Sequence, residues 1–387
     1  MSVDRRFSVH LCLVSDQVTA NLAPASAPDF RPDKVILATT PAMQPAAFHL
    51  ETVLGRQQVA CERWTIDDPY DYAHVRDRVE TLLDELGHRD VTLNVTGGTK
   101  IMAFAAQRVF LEQDLPIFYV NPRKDEILWL HPAAPPRQIV DQLSLDDFLN
   151  AHGFHVEAIE RQPIPAAQLA VAQELIRHVT TYAPVLGTLN FLAGTAEKRP
   201  GLISDPLRPP ARNRRDLNRL IDLVADHGLL KREEDILVFP DEASRYCVNG
   251  GWLESLLYAT LAHLGERLPL QDLARNVQMR AHGGSQNEID IALLRNNQFH
   301  LIECKTRRFL RDRNGQGGGG SDTLYKLDSL RDAGGDRTRT LLVSYQQLSF
   351  YDRLRARDLK IFTLVGEQLR NLEYELLTWL KQKEGAV

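Results

Sequence analysis

The stretch VTLNVTGGTK, residues 91–100, passes from a run rich in β-branched and apolar residues into a pair of glycines and then into a helical pattern. Apolar side chains continue beyond it at helical spacing, where Ala103, Ala106, Val109 and Phe110 form one stripe. The stretch therefore predicts a strand over residues 91–96, a tight turn, and a helix over residues 99–112.

Similar apolar runs lie on both sides of this unit. They predict strands over residues 8–14, 34–39, 59–66 and 116–120, and a further helix over residues 70–86. Alternating strands and helices predict a Rossmann-like α/β domain. Ligands of such sheets bind outside the carboxyl ends of the strands, so the loops at Ser15 and Thr96 are the first candidates for a binding site.

The turn itself has the composition of an anion cradle. Gly97 and Gly98 allow the backbone to approach a ligand closely, and the start of a helix attracts anions. Thr96, Thr99 and Lys100 add hydrogen-bond donors. The spacing fits neither a Walker A loop nor G-x-G-x-x-G, so neither ATP hydrolysis nor NAD binding is indicated. The alternative is an ordinary turn capped by a threonine.

A proline-rich segment, residues 131–136, marks the end of this domain. Beyond it, Leu217, Leu220, Ile221 and Val224 predict a helix, Gly228 its end, and residues 236–239 a strand, an order typical of a winged helix. Residues 198–219 contain seven basic residues against two acidic ones. They form either a solvated linker or a nucleic-acid contact.

The remaining chain predicts an α/β unit of nuclease size. Its order is a helix over residues 252–264, strands over 275–281, 288–294 and 298–304, a helix over 323–332 and a strand over 339–344. The glycine-rich run 315–321 is interpreted as a native mobile loop. We therefore divide the chain into domains at residues 1–140, 141–245 and 246–387.

Two strands of this unit carry charged residues within apolar runs: Asp290 in one, Glu303 and Lys305 in the next. Alternation predicts that Glu303 and Lys305 share a face and that Asp290 faces away from Ile289 and Ile291. If the strands pair, Asp290 and Glu303 meet, and two adjacent carboxylates suit Mg²⁺ or Mn²⁺. The alternatives are an exposed strand residue and an ordinary surface ion pair.

Glu254, in the first turn of the preceding helix, is a third candidate, although the helix dipole alone favours a glutamate there. The order Glu254, Asp290, Glu303-Cys304-Lys305 resembles the PD-(D/E)xK nucleases over about 100 residues after Gly250. The resemblance implies metal ligation by Asp290, Glu303, the Cys304 carbonyl and Glu254, and assistance to the attacking water by Lys305. It also assigns a polar active-site position to Lys326.

Basic residues surround this motif. They indicate either a contact to a phosphate backbone or, equally, a solvated basic loop. Lys305, Arg307, Arg308, Arg311 and Arg313 stand against Glu303 and Asp312.

The N-terminal turn, together with the loop Ser15-Asp16-Gln17, resembles the CARF domains that sense cyclic oligoadenylates in type III CRISPR defence. The resemblance spans residues 1–130 and implies a homodimer whose two-fold pocket binds the ring. It assigns ligand contacts to Ser15, Asp16, Gln17, Thr96, Gly97, Gly98, Thr99 and Lys100. An even-membered ring suits a two-fold pocket, so cyclic tetra-adenylate is the expected activator.

With both motifs in one chain, the whole resembles the CRISPR ancillary nucleases, which join a CARF domain to a PD-(D/E)xK domain. The resemblance implies a ligand-activated, metal-dependent nuclease for DNA or RNA, with the winged-helix-like connector transmitting the signal. Two alternatives are a DNA-binding regulator without nuclease activity and a nuclease of constitutive action.

The amino-acid composition is compatible with this predicted function. The 387 residues include 43% hydrophobic and 25% charged residues, with a net charge of −5, which argues against disorder and against a generic polycation. The four cysteines lack any C-x-x-C spacing, so neither a zinc cluster nor a disulfide framework is indicated. We expect a soluble cytoplasmic protein without a membrane segment, since no apolar run approaches the roughly 20 residues of a membrane helix.

Overall fold

The computed structural model describes residues 6–87, 90–140, 142–281, 284, 286–307 and 320–382, without the side chain of Asp332. Within them the chain forms two α/β domains and a connecting region, as predicted. Arg308, Arg311, Asp312, Arg313 and residues 315–319 of the glycine run, all named in the sequence analysis, lie outside the described residues.

The N-terminal domain alternates strands and helices. Its elements are β1 (Val9–Leu13), α1 (Thr19–Ser26), β2 (Lys34–Thr39), α2 (Gln44–Arg56), β3 (Ala60–Thr65), α3 (Tyr72–Leu86), β4 (Val91–Asn94), α4 (Lys100–Glu112), β5 (Ile117–Asn121), β6 (Glu126–His131) and β7 (Arg137–Gln138). The five predicted strands and two predicted helices are all confirmed.

These strands form one sheet in the order β3-β2-β1-β4-β5-β6-β7, parallel from β3 to β5 and antiparallel beyond. Every residue of the central strand β1 is buried, as a strand covered on both faces requires. The strand order reverses between β1 and β4. This is the topological switch point at which ligands of open α/β sheets bind, and the two predicted ligand loops follow these strands.

The connecting region is mainly helical. It comprises α5 (Leu145–Ala151), β8 (Phe154–Glu160), α6 (Ala166–Arg177), α7 (Val179–Ala196), α8 (Arg215–Asp226), β9 (Lys231–Glu233) and β10 (Ile236–Val238). Helix α8 buries its predicted stripe, and β9 and β10 form the antiparallel hairpin that follows it in a winged helix.

The C-terminal domain contains α9 (Glu242–Tyr246), α10 (Trp252–Gly265), β11 (Asp272–Ala281), β12 (Gln286–Arg295), β13 (Gln298–Lys305), α11 (Ser321–Leu330), β14 (Arg339–Ser344), α12 (Phe350–Asp358), β15 (Phe362–Val365) and α13 (Leu372–Lys381). The sheet order is β15-β14-β13-β12-β11-β8. Strand β8, from the connecting region, thus completes the sheet of the C-terminal domain.

The two faces of this second sheet belong to different cores. One face packs with α10 and α13, through residues such as Leu257, Ile302 and Trp379. The other face packs with α11, and its core continues through α5 into the N-terminal domain. The N-terminal and C-terminal domains therefore share one core, to which α5 contributes Phe148, stacked on Phe299 of β13 at 5.5 Å between ring centroids.

No helix among the described residues is long and apolar enough to cross a lipid bilayer.

Candidate functional site

The hairpin β12–β13 brings the two predicted carboxylates together. The strands are antiparallel with Ile291 opposite Ile302, which puts Asp290 and Glu303 next to each other at the open end of the hairpin. Asp290 Oδ2 accepts a hydrogen bond of 2.6 Å from the Cys304 backbone N–H. The Cys304 side chain points into the apolar core, so only its backbone can face the site.

The regular alternation of side chains along strand β12 is broken at Asp290. Ile289 packs in the core on the α11 side, whereas Ile291 packs in the core on the α10 side. The expectation that both isoleucines face away from Asp290 is therefore wrong, because side chains two residues apart share a face only on a regular strand. The neighbouring strand is irregular at the same level, where Asn276 has φ +49°. The Asp290 carboxylate, which accepts from the Cys304 N–H, lies at this irregular level of the sheet.

Glu303 lies at the centre of a charged cluster. Its side chain is fully buried, and its Oε1 accepts a bond of 2.5 Å from Lys305 Nζ. Lys326 Nζ, from α11, lies 3.2 Å from Glu303 Oε2. Both lysines remain partly exposed, at 34% and 42% of their side-chain areas. The cluster thus places two cations between a buried carboxylate and solvent.

Glu254 reaches the cluster from the other side of the sheet. Its Oε2 accepts a hydrogen bond of 2.7 Å from the Tyr246 hydroxyl, which also lies 3.4 Å from Asn276 Oδ1. The chain turns back between Tyr246 and Glu254 at Gly250, whose φ is +124°. A Cβ there would lie 2.4 Å from Thr306 Oγ1, so the close approach of this turn to the end of β13 requires glycine.

The carboxylates of this site repel one another. Burial, and then the charge of Asp290, raise the pKa of Glu254 to about 8. Burial, and then the charge of Glu303, raise the pKa of Asp290 to about 7. Burial alone would lower the pKa of Lys305, but its contact with Glu303 and the charge of Asp290 raise it. The site holds excess negative charge that a cation would neutralise.

The donors present fit a hard cation. Asp290 and Glu303 offer carboxylate oxygens side by side, and Mg²⁺ is commonly bound by one or two carboxylates with water completing its shell. Glu254 is held by Tyr246, and no three His, Cys, Asp or Glu side chains of the described residues gather closely enough to bind one ion. The geometry therefore favours a site based on two carboxylates.

Tyr246 and Asn276 were missed by the sequence analysis. Tyr246 precedes Glu254 by eight residues across a turn, and Asn276 lies on another strand, so neither contact has a local sequence signal.

The predicted ligand loops lie side by side at the switch point of the first sheet. Their threonines are engaged in holding the turn. Thr96 Oγ1 donates to Asn94 Oδ1 at 2.6 Å and accepts from the Val120 N–H at 2.7 Å. Thr99 caps α4 by accepting from the Met102 N–H at 3.1 Å, and donates to the Pro69 carbonyl. Both hydroxyls therefore fix the loop.

Gly97 lies against the end of β1. A Cβ at this position would lie 2.1 Å from the Leu13 carbonyl oxygen, so no other residue fits without displacing the backbone. Asn21, another residue that the sequence analysis missed, ties the same strands together. Its amide donates to the Leu13 carbonyl, and its Oδ1 accepts from the Asn94 amide at 3.0 Å. These buried contacts hold the loop after β1 against the loop after β4.

The side chains left facing solvent at this edge are Asp16, Gln17 and Lys100, with Ser15 partly buried and Gly98 in a left-handed turn at φ +69°. Within the part of the chain that the structure describes, the Lys100 side chain has no ion-pair partner. It projects from the first turn of α4, where a cation and the helix dipole together attract an anion.

The two candidate sites are linked by a direct contact between domains. Asp125, between β5 and β6, accepts a hydrogen bond of 2.9 Å from the Asn297 amide at the tip of the β12–β13 hairpin. Both residues are buried. Gln271 also holds Asn297, through bonds of 2.8 and 3.0 Å. Beside this contact lies a cavity of about 110 Å³ whose lining includes Asp16, Gln17 and Arg337.

Comparison with known proteins identifies both domains. The family model for the Card1 CARF domain matches residues 9–148, and that for the Card1-like endonuclease domain matches residues 241–383. No curated protein matches the sequence.

Solved structures resemble the whole chain. Protein VC1899 from Vibrio cholerae has a TM-score of 0.87 at 27% identity, covering 96% of this chain and 98% of that one. Can2 from Sulfobacillus thermosulfidooxidans, solved with cyclic tetra-adenylate, has a TM-score of 0.80 at 27% identity, covering 97% and 99%. A type III CRISPR defence DNA nuclease activated by cyclic oligoadenylate shares the fold, with a TM-score of 0.54 at 20% identity over 87% of this chain and 45% of that one.

The region that matches the CARF model contains the loops at Ser15 and Thr96, and the region that matches the endonuclease model contains the charged cluster around Glu303. The chain belongs to the CARF nucleases of CRISPR systems, with a Card1 CARF domain joined to a Card1-like endonuclease domain.

Proposed function

We propose that this protein is a homodimeric nuclease that cyclic oligoadenylate, specifically cyclic tetra-adenylate, activates, and that needs Mg²⁺ or Mn²⁺ to hydrolyse phosphodiester bonds of DNA or RNA. The observation that carries the proposal is the cluster of Asp290, Glu303 and Lys305, joined in one chain to a CARF domain. The binding of cyclic tetra-adenylate by the structurally similar Can2 supports the choice of activator.

In the nuclease site, Asp290 and Glu303 would hold the cation, with the Cys304 carbonyl as a further oxygen donor and Glu254 beside them. When bound, a divalent cation lowers the pKa of water and offsets phosphate charge. Lys305 would orient the attacking water and stabilise negative charge on the phosphate. Lys326 shares the Glu303 carboxylate with Lys305, so it would hold that carboxylate in place and contribute a second positive charge near the phosphate.

In the sensor, the backbone of Gly97 and Gly98, the side chains of Ser15, Asp16, Gln17 and Lys100, and the loop held by Thr96 and Thr99 would bind the ring. The homodimer is supported by α4, which begins at this loop. Phe104 lies one helical turn after Lys100 and exposes 60% of its area. A large apolar side chain exposed beside the ligand loop suits a subunit interface.

The signal would pass through the direct contact between domains. The Val120 N–H bonds to Thr96, and β5 leads from Val120 to the turn that carries Asp125. Asp125 holds Asn297, and from there β12 and β13 run to Asp290 and Glu303. A change in the ligand loop could therefore shift the hairpin that carries the carboxylates. This route complements the connector as the element that transmits the signal.

The test is cleavage of single-stranded and supercoiled DNA, and of RNA, with and without cyclic tetra-adenylate and with and without chelator. We expect cleavage only when both ligand and divalent cation are present. Cleavage without the ligand would favour a constitutive nuclease. Metal-independent binding to a defined duplex without any cleavage would favour the regulator.

A further inference from the structure

An exposed aromatic surface lies beside the charged cluster. Tyr325 on α11 and Phe350 and Tyr351 on α12 expose 47%, 62% and 67% of their areas. The apolar sides of both helices are already buried, through residues such as Leu324, Leu327 and Ala356. The three rings are therefore additional to the core, and exposed aromatic rings grouped in this way mark a contact surface.

An arginine joins the rings into one surface. The Arg355 guanidinium lies 5.0 Å from the centre of the Tyr325 ring. Tyr351 is four residues before Arg355 on α12, so the two side chains share one face of that helix. The Phe350 and Tyr351 rings lie 5.8 Å apart. We call Tyr325, Phe350, Tyr351 and Arg355 the aromatic platform.

The platform begins next to the nuclease site. Tyr325 precedes Lys326, whose Nζ lies 3.2 Å from Glu303 Oε2. Helix α12 adds Arg353 and Arg357, whereas of its two aspartates Asp352 is buried and only Asp358 is exposed. Positive charge among exposed aromatic rings is the composition of surfaces that bind single-stranded nucleic acid, where bases stack on rings and cations contact phosphates.

We propose that the aromatic platform binds unpaired bases of the strand that enters the nuclease site. Aromatic and guanidinium planes can stack only on bases that are not enclosed in a duplex, so the platform selects single-stranded substrate. The shared chemistry is an unpaired base attached to a phosphate backbone, as present in both single-stranded DNA and single-stranded RNA. The inference rests on the proposed nuclease function and adds to it the residues that would hold the substrate strand.

The test uses the full-length Asp290→Asn chain with saturating cyclic tetra-adenylate at fixed salt, and measures anisotropy of fluorescent dT20, U20 and a 20-base-pair duplex. Tyr325→Ala and Tyr351→Ala should each weaken single-strand binding by about 5- to 150-fold, with a smaller effect on the duplex. Tyr325→Phe and Tyr351→Phe keep the ring and should bind as the parent does. The dT20 and U20 arms show whether DNA, RNA or both are bound.

Tyr374→Ala is the matched control. Tyr374 exposes 68% of its area on α13, which packs on the opposite face of the same sheet. Three results would each contradict base binding by the platform. They are equal losses of affinity for duplex and single strands, unchanged binding in the alanine variants, and dissociation of the dimer in those variants. The parent chain with Asp290 intact is assayed in parallel for ligand-dependent cleavage. If it does not cut, the proposed function fails, whereas normal cutting with unaltered binding in the variants rejects only the platform.

Discussion

We call the proposed ligand loops at Ser15 and Thr96 the sensor edge, and the proposed catalytic cluster around Asp290 and Glu303 the nuclease site. The two regions are ordered in opposite ways. At the sensor edge, neutral hydrogen bonds join Thr96 to Asn94, and join the hydroxyls of Thr96 and Thr99 to nearby backbone N–H groups. At the nuclease site, Asp290, Glu254 and Glu303 are buried within range of mutual repulsion. The hydrogen bonds of the first region are formed without any ligand, whereas in the second region the carboxylates repel one another and a cation would reduce this repulsion.

This difference indicates which substitutions report on function. A change at Thr96 or Thr99 removes bonds that hold the loop, so a loss of ligand binding would be hard to separate from a loss of structure. Lys100 has no such structural contact within the described residues. At the nuclease site, burial and like charge disfavour the ionised Asp290 and Glu254 carboxylates, so Asp290→Asn can abolish chemistry without loosening the protein.

The largest effect is expected at the nuclease site. Glu303→Gln and Lys305→Ala should each lower the cleavage rate by about 100-fold or more, because each removes a charge that acts on the cation or the phosphate. Cyclic tetra-adenylate affinity should stay within twofold, measured by calorimetry. Chelator should abolish cleavage by the parent chain. Wild-type cutting by either variant, or full cleavage in chelator, would contradict the assigned site.

The sequence predicted the elements around both sites and missed others for identifiable reasons. The β12–β13 hairpin and α4 have regular apolar spacing, and both were predicted. Helix α1 contains Pro24 and has almost all its residues buried, so it shows no amphipathic pattern. Strand β8 has no fully buried residue and joins a sheet whose other strands lie far along the chain.

The candidate site was predictable only where the signal is local. Glu303 and Lys305 are two residues apart, so alternation alone places them on one face. The break in side-chain alternation at Asp290 coincides with the left-handed Asn276 of another strand, and the hydrogen bond from the Asn297 amide to Asp125 joins residues 172 positions apart. Such contacts are consequences of tertiary packing, and no periodic pattern in the sequence predicts them.

The next effect concerns the link between the regions. Asp125→Ala and Asn297→Ala should reduce the activation of cleavage by cyclic tetra-adenylate by about 5- to 150-fold, the usual range of allosteric coupling. By linkage, single-stranded DNA should tighten ligand binding in the Asp290→Asn chain, and Asp125→Ala should remove this effect. Calorimetry with and without DNA measures it. Gln271→Ala, which removes a contact to Asn297 within one domain, is the control.

If the Asp125→Ala and Gln271→Ala variants lose activation equally, the contact between domains has no special role in coupling. If ligand affinity is the same with and without DNA in the Asp290→Asn chain, ligand binding and DNA binding are independent, and the two regions are not coupled.

A smaller effect is expected at the sensor. Lys100→Ala should weaken cyclic tetra-adenylate binding by about tenfold or more, since a hydrogen bond to a charged group contributes roughly 1.5 to 3 kcal/mol. Lys34→Ala is the matched control, because Lys34 begins β2 at the opposite end of the sheet and pairs with Glu62. Equal calorimetric affinities for the parent chain and Lys100→Ala would place the ligand elsewhere.

The smallest effect is on stability, and it tests directly whether the nuclease site is strained by its own charge. The folded-state pKa values of about 7 for Asp290 and about 8 for Glu254 lie above those of the unfolded chain, near 4. The folded protein thus binds more protons than the unfolded protein between these values, and its stability falls as pH rises through that window. Well above pH 8 both carboxyls are ionised, and this contribution to stability is lost.

Asp290→Asn mimics the protonated acid and should remove part of this pH dependence. In chelator, its melting temperature should equal that of the parent chain near pH 4 and exceed it at pH 9 by a few degrees, since about 1 kcal/mol shifts the transition by roughly 2 to 4 °C in a domain of this size. Desolvation lowers the pKa values of His10, His152 and His300 in both proteins alike, so the difference between the two melting curves isolates the carboxylate. Mg²⁺ at pH 9 should stabilise the parent chain more than the variant, because the cation takes the place of the proton. If the variant is no more stable than the parent at pH 9, or if Mg²⁺ stabilises the two equally, the repulsion in this site is not what distinguishes it from the sensor edge.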